Sequence, residues 1–145
     1  MSQRMETVKA ILAGFLESGS LEELLAAADA DVVLKNAIPE SAPFGGEFRG
    51  RQGILDYFAR VDTVLEPQRV RATDYLEGGD KVVVLGDERL RIKSTGETFA
   101  SEWCTVFEFR GDRVARITVI EDHSPFYASF VAGRQAGVVE AESPE

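Results

Sequence analysis

Cysteine is nearly absent from this chain. Cys104 is the one cysteine in 145 residues, so no intrachain disulfide and no multi-cysteine metal site can form. It sits in a strand-like run, where a small buried hydrophobe is the expected role. Histidine is as scarce, with His123 alone, and basic residues are outnumbered 16 to 25, for a net charge of −9. That balance disfavours nucleic acid, which is gripped by clustered Lys and Arg, and equally an anionic membrane surface. No apolar run approaches the length of a bilayer span, and no basic-then-apolar stretch opens the chain as a signal peptide would. A soluble cytoplasmic protein is the expectation. The glycines of "FGGEFRG" precede no phosphate-cradling lysine. Nothing has the spacing of a zinc or haem site, so no metal and no cofactor are expected. Internal repeats and low-complexity tracts are missing too.

What is present suits one globular domain over residues 1–145, long enough for a hydrophobic core. Val8, Ile11, Leu12, Phe15 and Leu16 form one apolar stripe at helical spacing. Gly19 stops that helix. "SLEE" reads as a capping box, Ser20 to Glu23, opening a short second helix. A third helix carries Ile54, Tyr57, Phe58, Val61 and Leu65 and ends at Pro67. The stretch before it, "IPESAPFGGEFRG", holds two prolines and three glycines and reads as a loop.

Between the second helix and that loop lies a strand, "DVVLKNA", with Val32, Leu34 and Asn36 on one face. The rest is β, in runs joined by "GGD", "STG" and "GD" as hairpins. The expectation is an α+β fold, three N-terminal helices against one face of a mostly antiparallel sheet. The tail from about residue 133 to 145 is acidic, lacks an apolar pattern and reads as flexible.

Alternation assigns faces. Phe99, Ser101, Trp103, Thr105, Phe107 and Phe109 share the face that should meet the helices, as the larger aromatic payload. On the last strand Ala115, Ile117, Val119, Glu121 and His123 share the inner parity, and Asp122 points away if no bulge intervenes. A histidine titrates near neutrality, and a carboxyl at an apolar pocket has its pKa raised toward a useful range. "VIEDHSPF" is therefore either an acid–base cluster of Glu121, Asp122 and His123, or a hydrated strand end in which Asp122 or Ser124 is the N-cap ahead of "PFYASFVAG".

Two stretches carry a family resemblance. "PFGGEFRGRQGILDYFARV" has Phe44, Gly46, Phe48, Gly50, Ile54 and Phe58 in a recurrent order. "FEFRGDRVARITVIEDHS" is similar to a closing hairpin that ends in Glu-Asp. With the order of elements from about Met5 to Val131, they resemble the SnoaL-like branch of the nuclear transport factor 2-like superfamily. That superfamily includes ketosteroid isomerases, limonene epoxide hydrolases and polyketide cyclases. The resemblance implies a cone-shaped, strongly curved sheet around an apolar pocket, pairing of copies through the outer sheet face as homodimers, and cofactor-free acid–base chemistry on a hydrophobic small molecule.

Specific activities within that resemblance differ in their fit. The position of the isomerase base falls on Asn36, an amide with no accessible basic form. The second isomerase acid falls near Thr105, and the expected tyrosine is replaced by the stripe around Phe15. Steroid isomerisation by that route is disfavoured. Asp87, Arg89 and Arg91 have the residue types of the epoxide hydrolases, but their alternation reads as a solvated strand face. The polyketide-cyclase branch uses an aspartate near the end of the last strand, which points to Asp122, with Glu121 and His123 beside it. Asn36, Trp103, Phe15, Phe44, Tyr57, Phe58 and Thr105 are the expected ligand contacts. The competing expectation is a non-catalytic binding or dimerisation module whose pocket is filled by its own aromatics.

Overall fold

A computed structural model describes residues 2–40, 42–122, 124 and 125. Helix α1, Gln3–Ser18, opens with the Ser2 hydroxyl accepting the Met5 amide. It closes on Gly19 in the left-handed region at φ 69°, a conformation that glycine adopts without steric cost. Helix α2 covers Glu22–Ala27, followed by β1, Ala28–Asn36, and β2, Gly46–Arg49. Helix α3 runs Gly50–Val64, then β3 Leu65–Gly78, β4 Lys81–Ile92, β5 Thr98–Arg110 and β6 Arg113–Glu121. The strands form one curved, unclosed six-stranded sheet in the order β2-β1-β6-β5-β4-β3. All pairings are antiparallel except that of β1 with β6. The helices pack against its inner face, as the α+β reading required.

Four sequence expectations change in detail. The breaker-rich loop contains β2, in which Gly46 and Phe48 are buried and Glu47 and Arg49 exposed. Its period of two was masked by three glycines, but Phe48 pairs opposite Leu34 and that burial holds the strand. Helix α2 begins at Glu22, with no side-chain cap at Leu21. The Ser20 hydroxyl instead accepts the Glu22 amide at 3.2 Å, a local turn rather than a capping box. Leu65 is not the last helical residue but the buried first residue of β3. Pro67 then falls within β3, where an edge strand with a bulge beside it tolerates the missing N–H. Ala115 does not continue the inner row. The register of β5 with β6 slips there, and Val114 takes the buried position.

The inner face is otherwise as alternation assigned it. Phe99, Trp103, Phe107 and Phe109 of β5 are buried against Val8, Ile11 and Leu12 of α1 and Ile54 of α3 in one apolar cluster. Cys104 lies on the outer face, half-buried, and burial raises its thiol pKa, which keeps it protonated and weakly nucleophilic. No helix of the described residues is long and apolar enough to cross a membrane. His123 and the acidic tail from about residue 133 to 145 lie outside the described residues.

Candidate functional site

The helices and the sheet enclose a cavity of about 200 Å³. Its walls come from α1 (Phe15), the segment before β2 (Phe44), α3 (Tyr57, Phe58) and β5 (Trp103, Thr105). A second groove shares Phe15, Phe58, Val61 and Leu65 with it and adds Asp62, Gln68 and Arg69. Among the described residues that line the cavity, none is cationic, and two are carboxylic acids, Glu88 and Glu121.

The sheet register explains how two acids reach one apolar space. On β4, Val82, Val84, Gly86, Glu88, Leu90 and Ile92 share the inner, buried parity. Glu88 is therefore only 5% exposed. On β6, Ile117, Val119 and Glu121 share the inner parity, and Glu121 stands opposite Trp103. Trp103 in turn stands opposite Gly86, and Ser101 opposite Glu88. The two carboxyl groups meet across β5 and hydrogen-bond to one another. The Ser101 hydroxyl also donates to Glu88 Oε2 at 3.1 Å.

Burial raises the Glu121 pKa above the ordinary carboxylate range, with the hydrogen bond from Glu88 acting in the opposite direction. Glu121 keeps some accessible surface because it faces the cavity. A bridging proton is what such a pair requires, since two carboxylates in contact cannot both ionise cheaply in a poorly solvated site.

Trp103 forms the floor. Its ring lies over Gly86, where a Cβ would fall 2.3 Å from Cζ2. Its Nε1 donates to the Asp87 carbonyl at 3.1 Å. Tyr57, which also lines the cavity, stands within a group of rings, 4.9 Å from Phe58, 5.3 Å from Phe48 and 6.4 Å from Phe44 between centroids. Asn36, 1% exposed, does not line the cavity. Its Nδ2 donates to the Tyr57 hydroxyl oxygen at 2.8 Å and its Oδ1 accepts the Ile38 amide at 3.1 Å. Burial raises the Tyr57 pKa and the nearby Glu121 charge raises it further, against the Asn36 hydrogen bond. The phenol is neutral at any working pH.

Seven of the expected residues thus border one space: Phe15, Phe44, Tyr57, Phe58, Trp103, Thr105 and Glu121. Asn36 stands behind Tyr57. Asp122 is exposed, and its carboxylate accepts the Ser124 amide at 3.1 Å and hydroxyl at 2.6 Å. Asp87 lies on the outer surface, held by Arg71 through Nε and Nη2 at 2.9 and 2.8 Å. Sequence reasoning missed Glu88. The signal was available, since placing Asp87, Arg89 and Arg91 on the solvated face puts Glu88 in the apolar row. Among the described residues no three His, Cys, Asp or Glu side chains are placed to hold a metal ion.

Comparison with known proteins bears on this architecture. The model of the SnoaL-like domain family matches residues 8–117. An NTF2-like protein from Burkholderia pseudomallei K96243 superposes with a TM-score of 0.78 at 24% identity, over 88% of this chain and 97% of that one. TerC, co-crystallised with polyporic acid, gives 0.75 at 28% identity over the same shares, 88% and 97%. A protein of ketosteroid isomerase-like fold from Catenulispora acidiphila DSM 44928, in complex with trimethylamine, gives 0.63 at 23% over 79% and 83%. No curated protein matches the chain.

Proposed function

The chain belongs to the SnoaL-like domain family, and we propose that it binds a compact apolar small molecule in the cavity and moves protons on it with Glu88 and Glu121. The observation that carries this reading is the carboxyl pair, hydrogen-bonded and held in an otherwise apolar space. Structural acids belong at the surface, and an acid desolvated inside an apolar cavity is held there at a cost that a reaction would justify. A carboxylate of the pair takes a proton from a carbon or oxygen of the ligand. The partner carboxyl returns one at another atom, so the ligand keeps its proton count. No oxidant, reductant or cofactor enters this exchange, which suits an isomerase or a cyclase. A hydrolase would use water as co-reactant, one carboxylate taking its proton as the oxygen adds and the partner carboxyl protonating the leaving group. Phe15, Phe44, Phe58 and Trp103 supply the apolar contact that expels water. The likeness to TerC, whose crystals held polyporic acid, supports a small organic ligand.

The test is a ligand-observed NMR screen of aromatic and alicyclic compounds, polyporic acid included, in deuterated buffer. Bound compounds should lose an exchangeable C–H signal faster with the wild type than with Glu88→Gln or Glu121→Gln. Binding without any accelerated exchange would overturn the catalytic reading and leave a binding module, and absence of binding to the cavity would remove both.

The proposal includes a homodimer. Leu76 and Ile120 are 55% and 46% exposed on the outer sheet face, in rows with Val83 and Val106 and with Leu85 and Cys104. A second copy would cover them. Sedimentation should give a dimer that Ile120→Glu dissociates; a monomeric wild type refutes it.

A further inference from the structure

Ser101 interrupts a row of aromatic side chains. On the inner face of β5 it stands between Phe99 and Trp103, both buried. The ladder of β4 with β5 sets it directly opposite Glu88, and side chains paired in this way are about 5 Å apart at Cβ. Thr105, the other hydroxyl of that row, stands opposite Val84 and Val119 instead. Ser101 thus reaches the acid pair, and its hydroxyl has two acceptors in range. They are Glu88 Oε2 at 3.1 Å and the Glu102 carbonyl oxygen at 3.3 Å. A hydroxyl carries one hydrogen and turns to suit its surroundings. Pointed at Oε2, it donates to a carboxylate oxygen. Pointed at the Glu102 carbonyl, it offers a lone pair to Oε2 and fits an oxygen that carries a proton.

We propose that Ser101 is the positioning residue of the acid pair: its hydroxyl donates to Glu88 while the pair is singly ionised and turns to the Glu102 carbonyl when Oε2 takes up the ligand's proton. This deepens the proposed function and rests on Glu88 and Glu121 being the groups that move protons. In that step the ligand's C–H or O–H bond breaks and its electron pair stays with the ligand. The proton bonds to Oε2, and the pair passes from one negative charge to none. Ser101 keeps Glu88 hydrogen-bonded on both sides of the transfer, so little else has to reorganise. It does not line the cavity, and therefore acts through Glu88 rather than on the ligand.

The two orientations differ in strength. A hydrogen bond to a charged carboxylate is about twice as strong as one between neutral groups. The hydroxyl therefore favours the singly ionised pair and lowers the pH at which it becomes a base, whereas burial acts on Glu121 in the other direction. Tyr57 of α3 is the one further titratable group among the described residues of the lining, and it stays neutral. α1, α2, β1, β3 and β5 contribute no titratable side chain to that lining. Asp87 and Arg89, the neighbours of Glu88, take the opposite face of β4, and Glu102 takes the opposite face of β5.

The test is a pH titration of the full chain carrying carboxyl-labelled glutamate. Carbon NMR follows the Glu88 and Glu121 carboxyl groups, assigned through Glu88→Gln and Glu121→Gln. Ser101→Thr and Ser101→Val are close in shape and differ in the hydroxyl, so their comparison isolates it. Ser101→Val should raise the lower apparent pKa of the pair by about one unit, the difference between a charged and a neutral hydrogen bond. Ser101→Thr should keep the wild-type titration. Ser101→Ala, which adds no bulk, should shift as Ser101→Val does. Equal titration in the Thr and Val variants, or an unmoved pair in Ser101→Ala, overturns the proposal and leaves the acid pair in place. If both wild-type carboxyl groups titrate independently in the ordinary carboxylate range, the pair itself fails, and the proposed function and this inference fall together.

Discussion

Replacing Gly86 with alanine is the sharpest test of how the site is built. Gly86 sits on β4 between β3 and the Trp103 ring. A Cβ there would lie 2.1 Å from the Arg71 carbonyl oxygen and 2.3 and 2.4 Å from Trp103 Cζ2 and Cε2. Ordinary carbon contacts need about 3.5–4.0 Å, so the ring must move by more than an ångström and β3 must give as well. A shift of that size breaks the indole hydrogen bond to the Asp87 carbonyl, now 3.1 Å long. Overpacking of this kind costs about 1–3 kcal/mol. Stranding the indole donor adds about 1–3 kcal/mol. The expected total is about 4 kcal/mol, or a fall in Tm on the order of 10–15 °C for a chain of this size. Trp103 is the only tryptophan, so its emission reports the displacement directly while circular dichroism follows unfolding. In a Trp103→Leu background the same substitution should cost at least about 1 kcal/mol less, because the two sites are in contact. A loss under about 1 kcal/mol with unchanged emission would refute the close stacking on which the cavity floor depends. So would an identical cost in both backgrounds.

Glu121→Gln should flatten the pH dependence of stability. The folded-state pKa of Glu121 is raised by burial above its ordinary value of 4.5, so below that value both states hold the proton and the penalty is nil. As pH rises through the folded pKa, the unfolded chain has already ionised freely and the folded one resists, so stability is lost. Denaturant midpoints at acid and neutral pH should converge in the variant, and an unchanged difference refutes the burial of this acid. Asn36→Leu should destabilise the fold by about 1–3 kcal/mol, through the Ile38 amide and Tyr57 hydroxyl that lose their partner. A neutral effect by denaturant titration would show that those groups are satisfied elsewhere.

The helices and the main β hairpins were legible because their signals are local. The α1 stripe, the Gly19 stop and the Gly-bearing links at residues 79, 96 and 111 each depend on a few neighbouring residues. The family motifs extended this to the curved sheet, which periodicity alone does not contain. β2 was not legible, because it is short, lies among prolines and glycines, and exists only through its pairing with β1. The Ala115 bulge was hidden for a similar reason. A strand's own sequence does not reveal where its partner's register slips.

The site divides along the same line. The aromatic lining followed from strand parity and helical spacing, both short-range properties. The acid pair did not, because Glu88 and Glu121 are far apart in sequence and meet only where β5 lies between their strands. Alternation supplied the face of one acid only. Glu121 falls on the inner parity, whereas Glu88 went unnoticed although the solvated row of Asp87, Arg89 and Arg91 leaves it on the opposite face. Asn36 shows the converse. As an amide it looked like a base that had been lost, whereas in the fold it is bonded to Tyr57, and a tyrosine on α3 stands at the cavity where sequence matching had looked for one on α1. Residue matching strand by strand therefore finds which chemistry is missing from a given position. It does not find the same kind of group brought in from another element, because that requires the three-dimensional proximity that only tertiary packing creates.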